Sequence, residues 1–352
     1  GGIAIDDTVN TMVTVASNKI NNFAQEWKTL TNSGASNIVD ICCSGDGRVV
    51  FVGKYSAGAS NSRVSRDYGQ TWEDSPSGNT ILRCSASLDG KYIVVNDFTQ
   101  YKISSDYGKS FESPWPRPLQ FLQSAISATG KYIAAACTQS QGLQVSTNFG
   151  STWTVRETTV WTWNDICISL DGSVIYACSD NGLIKKSVDY GQTWTTVYNN
   201  NTQNITRITC SGDGTKVLAC LGSSSQLLLS LDAGVSFNSV GSSYSYYKVA
   251  MSSNGLYMLA SVIGSRLVYS TNGGVNWQEV LNNKMCAIAV NSTGDILYNV
   301  PTYENVIVSE AFSTHFSTAQ PLIANAGSTY FDVATNKLYI YNGSAWKSVT
   351  LA

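Results

Sequence analysis

An eight-residue pattern returns along this chain at a nearly constant interval: SRDYGQTW from Ser65, SSDYGKSF from Ser104, STNFGSTW from Ser146, SVDYGQTW from Ser187, SLDAGVSF from Ser230 and STNGGVNW from Ser270. The leading serines lie 39 to 43 residues apart, and a worn seventh copy, SEAFSTHF from Ser309, keeps only the serine and the last aromatic. A fixed period of this length calls for stacked, similar units. Inside the octet, the third residue (Asp67, Asp106, Asn148, Asp189, Asp232, Asn272) can accept hydrogen bonds from amides ahead of it, and the fifth, always Gly, tolerates positive φ. Together they predict a tight turn, closed by a Trp or Phe that anchors the next strand.

A second repeat lies between the octets, in runs such as CSGDGRVVFVG, SLDGSVIYAC and SGDGTKVLAC. Each joins two short apolar segments through a turn ending in Gly47, Gly90, Gly130, Gly172, Gly214, Gly255 or Gly294, which predicts seven β-hairpins. With a third strand before each octet and a fourth after it, the expectation is an all-β, seven-bladed β-propeller of four-stranded blades. Two segments compete to complete the last blade: EWKTLT, at 26–31, beside ENVIVS, or FSTA, at 316–319. The first is preferred. The expected organisation is an N-terminal assembly segment over 1–25, the propeller over 26–318 and a small C-terminal β module over 319–352.

The octet matches the Asp-box, or BNR repeat, and residues 26–318 resemble Asp-box β-propellers: sialidases, xyloglucan-degrading hydrolases, sortilin-type receptors and the photosystem II assembly factor. The resemblance implies that the box is a structural turn remote from the active face, so its Asp and Asn residues are not catalytic. A sialidase of this family would also carry three arginines for the substrate carboxylate, a Tyr nucleophile with its Glu, and an RIP-like motif, which is absent.

Composition narrows the functions. Charged residues make up 13% of the 352 and the formal net charge is −2, which gives no overall attraction to nucleic acid or an anionic membrane. No window approaches the about 18 apolar residues of a membrane span, and no signal peptide is visible. The chain starts at Gly1 rather than Met, so a removed leader stays open. The nine cysteines form no CxxC pair and sit inside apolar runs, so reduced buried thiols are expected. A single histidine, His315, speaks against a histidine-based metal or catalytic centre, and no cofactor is expected.

Binding is expected on the face opposite the octets. Counting seven residues back from each hairpin glycine gives Asp40, Arg83, Gln123, Asp165, Arg207, Lys248 and Ala287, a ring at the mouth of the central channel. Two positions further on come Cys42, Ser85, Ala125, Cys167, Thr209, Ala250 and Ala289, all small enough to crowd an axis. The ring is the first candidate ligand site; the competing reading is a self-satisfied network around a wet channel. Loop aromatics Trp161, Trp163, Tyr246 and Tyr247 are candidate platforms for sugar rings. A glycosidase needs two carboxylates about 5 to 10 Å apart, and nothing marks Asp40 or Asp165 as such a pair.

The tail, STYFDVATNKLYIYNGSAWKSVTLA, alternates in three segments, predicts a small antiparallel sheet, and resembles short YFDxxTNKLYxYNGxxW modules near the ends of phage and large DNA virus structural proteins. The apolar strand NTMVTVAS near the N-terminus needs covering by its own domain or a partner. The expectation is a non-enzymatic virion surface or tail component, joined to other particle subunits through its termini and displaying a binding face for a glycan, cell-surface receptor or protein. The alternatives are a sialidase-like glycoside hydrolase and an assembly factor that binds an unassembled polypeptide; other locations are secreted or cytoplasmic.

Overall fold

The computed structural model describes residues 28–30, 33, 38–54, 61–77, 81–96, 100–113, 121–137, 142–158, 162–222, 225–263, 266–281, 285–301, 305–310, 314–316, 329–332, 337–341 and 346–350. The N-terminal segment with NTMVTVAS lies outside them, as does the turn of the seventh octet. Among the described residues there is no helix, and the strands form seven antiparallel blades. Six have four strands; the second has three, its fourth reduced to the bridge Ile103↔Glu112.

Each blade grades outward from the axis. Second strands such as Val50–Lys54, Ile175–Ser179 and Val217–Leu221 are buried along their whole length, which is why they read as unbroken apolar runs. Outer strands such as Thr154–Glu157 are largely exposed. The core is divided into seven apolar layers, one at each interface between neighbouring blades: Phe51 with Cys84 and Ile93 between blades 1 and 2, for example, and Tyr176 with Ile208 and Val217 between blades 4 and 5. Stability is therefore lateral, each blade burying its faces on its neighbours.

Two devices close the circle. Lys28–Thr29, from EWKTLT, pairs antiparallel with Ile307–Glu310 as the fourth strand of blade 7, with Lys28 opposite Val308. Phe316 belongs instead to Thr314–Phe316, which runs parallel to Thr329–Asp332 in a separate sheet with Lys337–Tyr341 and Trp346–Thr350. The second device is a belt of seven backbone hydrogen bonds, each amide donating to the next blade's carbonyl: Gly45 to Leu88, then Ala128, Leu170, Gly212, Ser253, Ser292 and back to Gly45, at 2.7–3.0 Å. All seven residues stand two before a hairpin glycine.

The latch depends on Leu30, which is buried against Ile38, Val52, Val306 and Val308 while its amide donates to Val306 O at 2.8 Å. Leu30→Ala is expected to lower stability by about 2–3 kcal/mol, read as a shift of the urea midpoint. An unchanged midpoint would show that the latch is not needed to hold the ring.

The octets fold as turns. Gly69 N–H donates to Ser65 Oγ at 2.8 Å, Thr71 N–H and Oγ1–H donate to the Asp67 carboxylate at 2.8 and 2.6 Å, and the Trp72 indole N–H donates to Gly69 O. Positive φ extends to the fourth position, where Tyr68, Tyr107, Phe149, Tyr190 and Ala233 join the glycines. The amide there docks the octet on its own blade's hairpin turn: Tyr68 N–H donates to Arg48 O, and Tyr190 N–H to Ser173 O. Octet and hairpin turns thus share one end of the propeller.

These bonds hold the octet carboxylates in the ionised form. The Thr193 hydroxyl and amide bring Asp189 down to about 2, and Ser236 does the same for Asp232. A depressed folded-state pKa contributes stability above the ordinary carboxylate value, near 4, that is lost as pH falls through the folded value. The thermal midpoint is expected to drop progressively from pH 4 to pH 2. Asp189→Asn, which adopts the residue already present at Asn148 and Asn272, is expected to flatten that drop. An identical pH profile in the variant would overturn the assignment.

Candidate functional site

The seven-back rule lands on a defined structural position. In blades 1, 4, 5, 6 and 7 the inner strand slips register immediately before Asp40, Asp165, Arg207, Lys248 and Ala287. Such a bulge re-aims the side chain. Below the ring a channel cavity of about 280 Å³ is lined by all seven small residues, from Cys42 round to Ala289, with Gln123, Ser124, Asp165 and Lys248 also on its wall. A second cavity of about 130 Å³, at the hairpin end, is lined by Ser44, Gly45, Ser87 and Ser292 among others. The channel is small beside ordinary ligand pockets of about 300–1,000 Å³, so a ligand of any size would sit on the mouth.

Both inner aspartates are occupied. Asp40 is buried; its Oδ2 accepts the Cys84 amide of blade 2 at 3.0 Å, and its Oδ1 accepts from the Lys248 ammonium. Asp165 accepts its neighbour Ile166 N–H through Oδ1 and the Ile208 N–H of blade 5 through Oδ2, both at 2.9 Å. In each case the amide belongs to the residue after a ring arginine, on an inner strand that is the edge of its sheet and has amides to spare. These carboxylates tie neighbouring blades together. Burial pushes Asp165 above the ordinary carboxylate value against the opposing pull of Arg207 and the two amides. For Lys248, burial acts to lower the pKa, but the attraction of Asp40, that of Cys84 and the hydrogen bond to Asp40 together outweigh it and hold the ammonium above its ordinary value.

The Lys248–Asp40 pair reaches from blade 6 to blade 1, past blade 7, where the ring position is Ala287. The small side chain leaves the passage open. This strap was not legible in the sequence, because its partners are 208 residues apart.

The ring arginines are less committed. Arg83 Nη1 donates to Leu82 O at 2.7 Å and Arg207 Nη1 to Thr206 O at 2.6 Å, each an adjacent carbonyl. Both side chains are half-buried, and the Arg207 guanidinium lies 5.8 Å from the Tyr247 ring centre. Gln123 Oε1 is enclosed with no hydrogen-bond partner among the described residues.

The aromatic platforms need correction. Trp163 is fully enclosed, packed on Ala136, Leu143 and Ile175 between blades 3 and 4. Tyr246 is buried against Val249 and Leu227, its hydroxyl donating to Ser242 O at 2.6 Å. Both start inner strands, directly before the bulge and two residues before the ring position, where the side chain turns into the interface between blades. Tyr247 stays half-buried under Arg207; Trp161 lies outside the described residues. Of the other residues on this face, Arg63 pairs with Asp74 at 3.0 Å, and Arg266 is engaged with Glu279 and Tyr244 at 2.8 and 2.9 Å. The described cysteines are free thiols, and burial pushes Cys43, Cys137 and Cys220 well above the ordinary thiol value.

No protein-family model matches the chain. No curated protein matches it either. Among solved structures it is similar to a GH74 xyloglucanase from Xanthomonas campestris, with TM-score 0.64 and 14% identity over 84% of this chain; the match spans only 55% of the xyloglucanase. It is also similar to YCF48 from Cyanidioschyzon merolae, with TM-score 0.60, 17% identity, and 81% and 98% of the two chains covered. Hydrazine synthase of Kuenenia stuttgartiensis gives TM-score 0.63 and 13% identity over 80% of this chain and 96% of that one. The set holds enzymes and a non-enzyme, and at these identities it establishes the seven-bladed β-propeller fold.

Proposed function

We propose that this chain is a non-enzymatic interaction module whose channel mouth binds a glycan or a protein, within a virion surface or tail structure. The observation that carries the non-enzymatic reading is the state of Asp40 and Asp165. Each gives one oxygen to an amide of the next blade and the other to a second donor, Lys248 for Asp40 and the Ile166 amide for Asp165, so neither is poised to donate or accept a proton across a scissile bond. The recognition groups are Arg83 and Arg207, whose remaining guanidinium donors match a carboxylate bidentately. An acidic sugar and an acidic polypeptide both present that group. The virus-like tail and the apolar run NTMVTVAS near the N-terminus support the particle context, with the termini joining other subunits.

The test is a glycan-array assay on the purified chain beside Arg83→Ala/Arg207→Ala. Saturable binding lost in the double variant supports recognition at the mouth. Binding that survives places it elsewhere. A folded protein that binds no glycan leaves the polypeptide reading, which the structure of YCF48 bound to a D1 peptide makes the natural second arm. Release of sugar from any array ligand would overturn the non-enzymatic reading. Removal of 320–352 is expected to block particle incorporation while leaving the propeller folded.

A further inference from the structure

The repeat makes each blade a control for the others, and at the octet end the blades differ. At the residue after the hairpin glycine, blades 1 to 3 carry Arg48, Lys91 and Lys131, and blade 2 adds Lys109 in its octet. Blades 4 to 6 carry aliphatic residues at the second and sixth octet positions and after the hairpin glycine: Val188, Leu231, Val235, Leu256 and Val275. These are exposed by 62%, 54%, 84%, 44% and 74%. Single exposed aliphatics are ordinary on a protein surface. Five of the nine such positions in three consecutive blades, against none of nine in blades 1 to 3, whose exposed apolar side chains in these turns are Leu88 and Phe149, form a sector.

The same sector carries a charge imbalance. Asp171, Asp189, Asp213 and Asp232 stand in its turns, while the positions that hold cations in blades 1 and 2 are Ser173, Gln192, Thr215 and Val235. The two nearby lysines are engaged with backbone: Lys186 Nζ donates to Ala233 O at 2.8 Å and Lys216 Nζ to Gly255 O at 3.1 Å. Hydrogen bonds within the turns keep all four carboxylates below the ordinary range, hence ionised at neutral pH.

From this combination we infer that the octet end of blades 4 to 6 is a second docking surface, for a polypeptide segment carrying aliphatic side chains interleaved with Lys or Arg. Its aliphatic groups would cover Val188, Leu231, Val235, Leu256 and Val275, and its cations would face the four carboxylates. This surface is at the opposite end of the channel from the Arg83 and Arg207 mouth, so the molecule can hold a ligand and a particle partner at once.

The experiment is fluorescence anisotropy of the full chain with a dye-labelled peptide alternating Leu and Lys, beside Ser–Lys and Leu–Ser peptides. The Leu–Lys peptide is expected to bind about tenfold or more tighter than either control, and Val235→Ser/Val275→Ser to remove that margin, as loss of a buried aliphatic anchor would. Both positions are on the surface, so the variant folds, which circular dichroism checks. Lys109→Ser is expected to leave the affinity unchanged. Equal affinity for Ser–Lys, or no binding at all, overturns the inference. Self-association in sedimentation that the Val235→Ser/Val275→Ser change abolishes overturns it too, by making a second copy the occupant.

Discussion

Lys248→Ala is expected to destabilise the propeller by about 3–5 kcal/mol, the cost of leaving a buried carboxylate without its counter-ion. The Asp40 side chain is 2% exposed and that of Lys248 16%, so solvent does little to compensate either charge. Asp40→Asn keeps an acceptor for the Cys84 amide but strands the ammonium. The double variant Asp40→Asn/Lys248→Met exchanges the pair for neutral groups of similar size and is expected to regain much of the loss, since a buried ion pair is often no better than its neutral replacement. The pH dependence has a definite sign. A lysine whose folded-state pKa is raised contributes stability that is intact below its ordinary value, near 10.4, and is lost as pH rises through the folded value. Wild type is therefore expected to lose stability at alkaline pH relative to the double variant and to gain nothing on it near neutrality. Urea midpoints across this double-mutant cycle measure the coupling. A loss below about 1 kcal/mol in Lys248→Ala, the range of exposed pairs, would mean that the strap is solvated and does not hold the seam.

The parts of this fold that sequence makes visible are those written locally. An octet with Asp at its third position and Gly at its fifth specifies its own turn, so Asp67 and Asp189 could be placed without tertiary information. Counting back from the hairpin glycines located the channel ring and the small residues beneath it, because every inner strand has nearly the same length. What sequence hides is the role of each ring residue. Asp40 and Asp165 look alike on paper and both tie blades, but among the described residues only Asp40 forms an ion pair, and its cation comes from two blades away. The belt of amides from Gly45 to Ser292 has no side-chain signature at all, since backbone makes every bond. The aromatic residues misled for a geometric reason: WTW and YSYY read as loop, whereas Trp163 and Tyr246 already begin strands, and the bulge after them reverses which residues face inward.

Trp163 turns that correction into a measurement. Its ring fills the layer between blades 3 and 4, against Ala134, Ala136, Leu143, Val145, Ile166 and Ile175, and it is among the largest side chains with no solvent exposure. Alanine at four of the contacts in this layer, Ala125, Ala134, Ala136 and Ala177, is what makes room for an indole. Trp163→Ala is accordingly expected to cost about 3–5 kcal/mol, the transfer free energy of the ring plus that of a cavity its small neighbours cannot close. Trp163→Phe is expected to cost only about 1 kcal/mol. The smaller ring gives up some contact area, but it also removes the indole N–H, which is enclosed without a hydrogen-bond partner among the described residues and carries a desolvation penalty in the native state. Urea unfolding of the three proteins decides the matter. A platform for a ligand would show the reverse pattern, with both variants close to wild type in stability and both impaired in binding. For a residue of the core, Trp163→Phe keeps whatever affinity the mouth has, and Trp163→Ala fails by unfolding. A Phe variant as unstable as the Ala variant would mean that the N–H is satisfied after all.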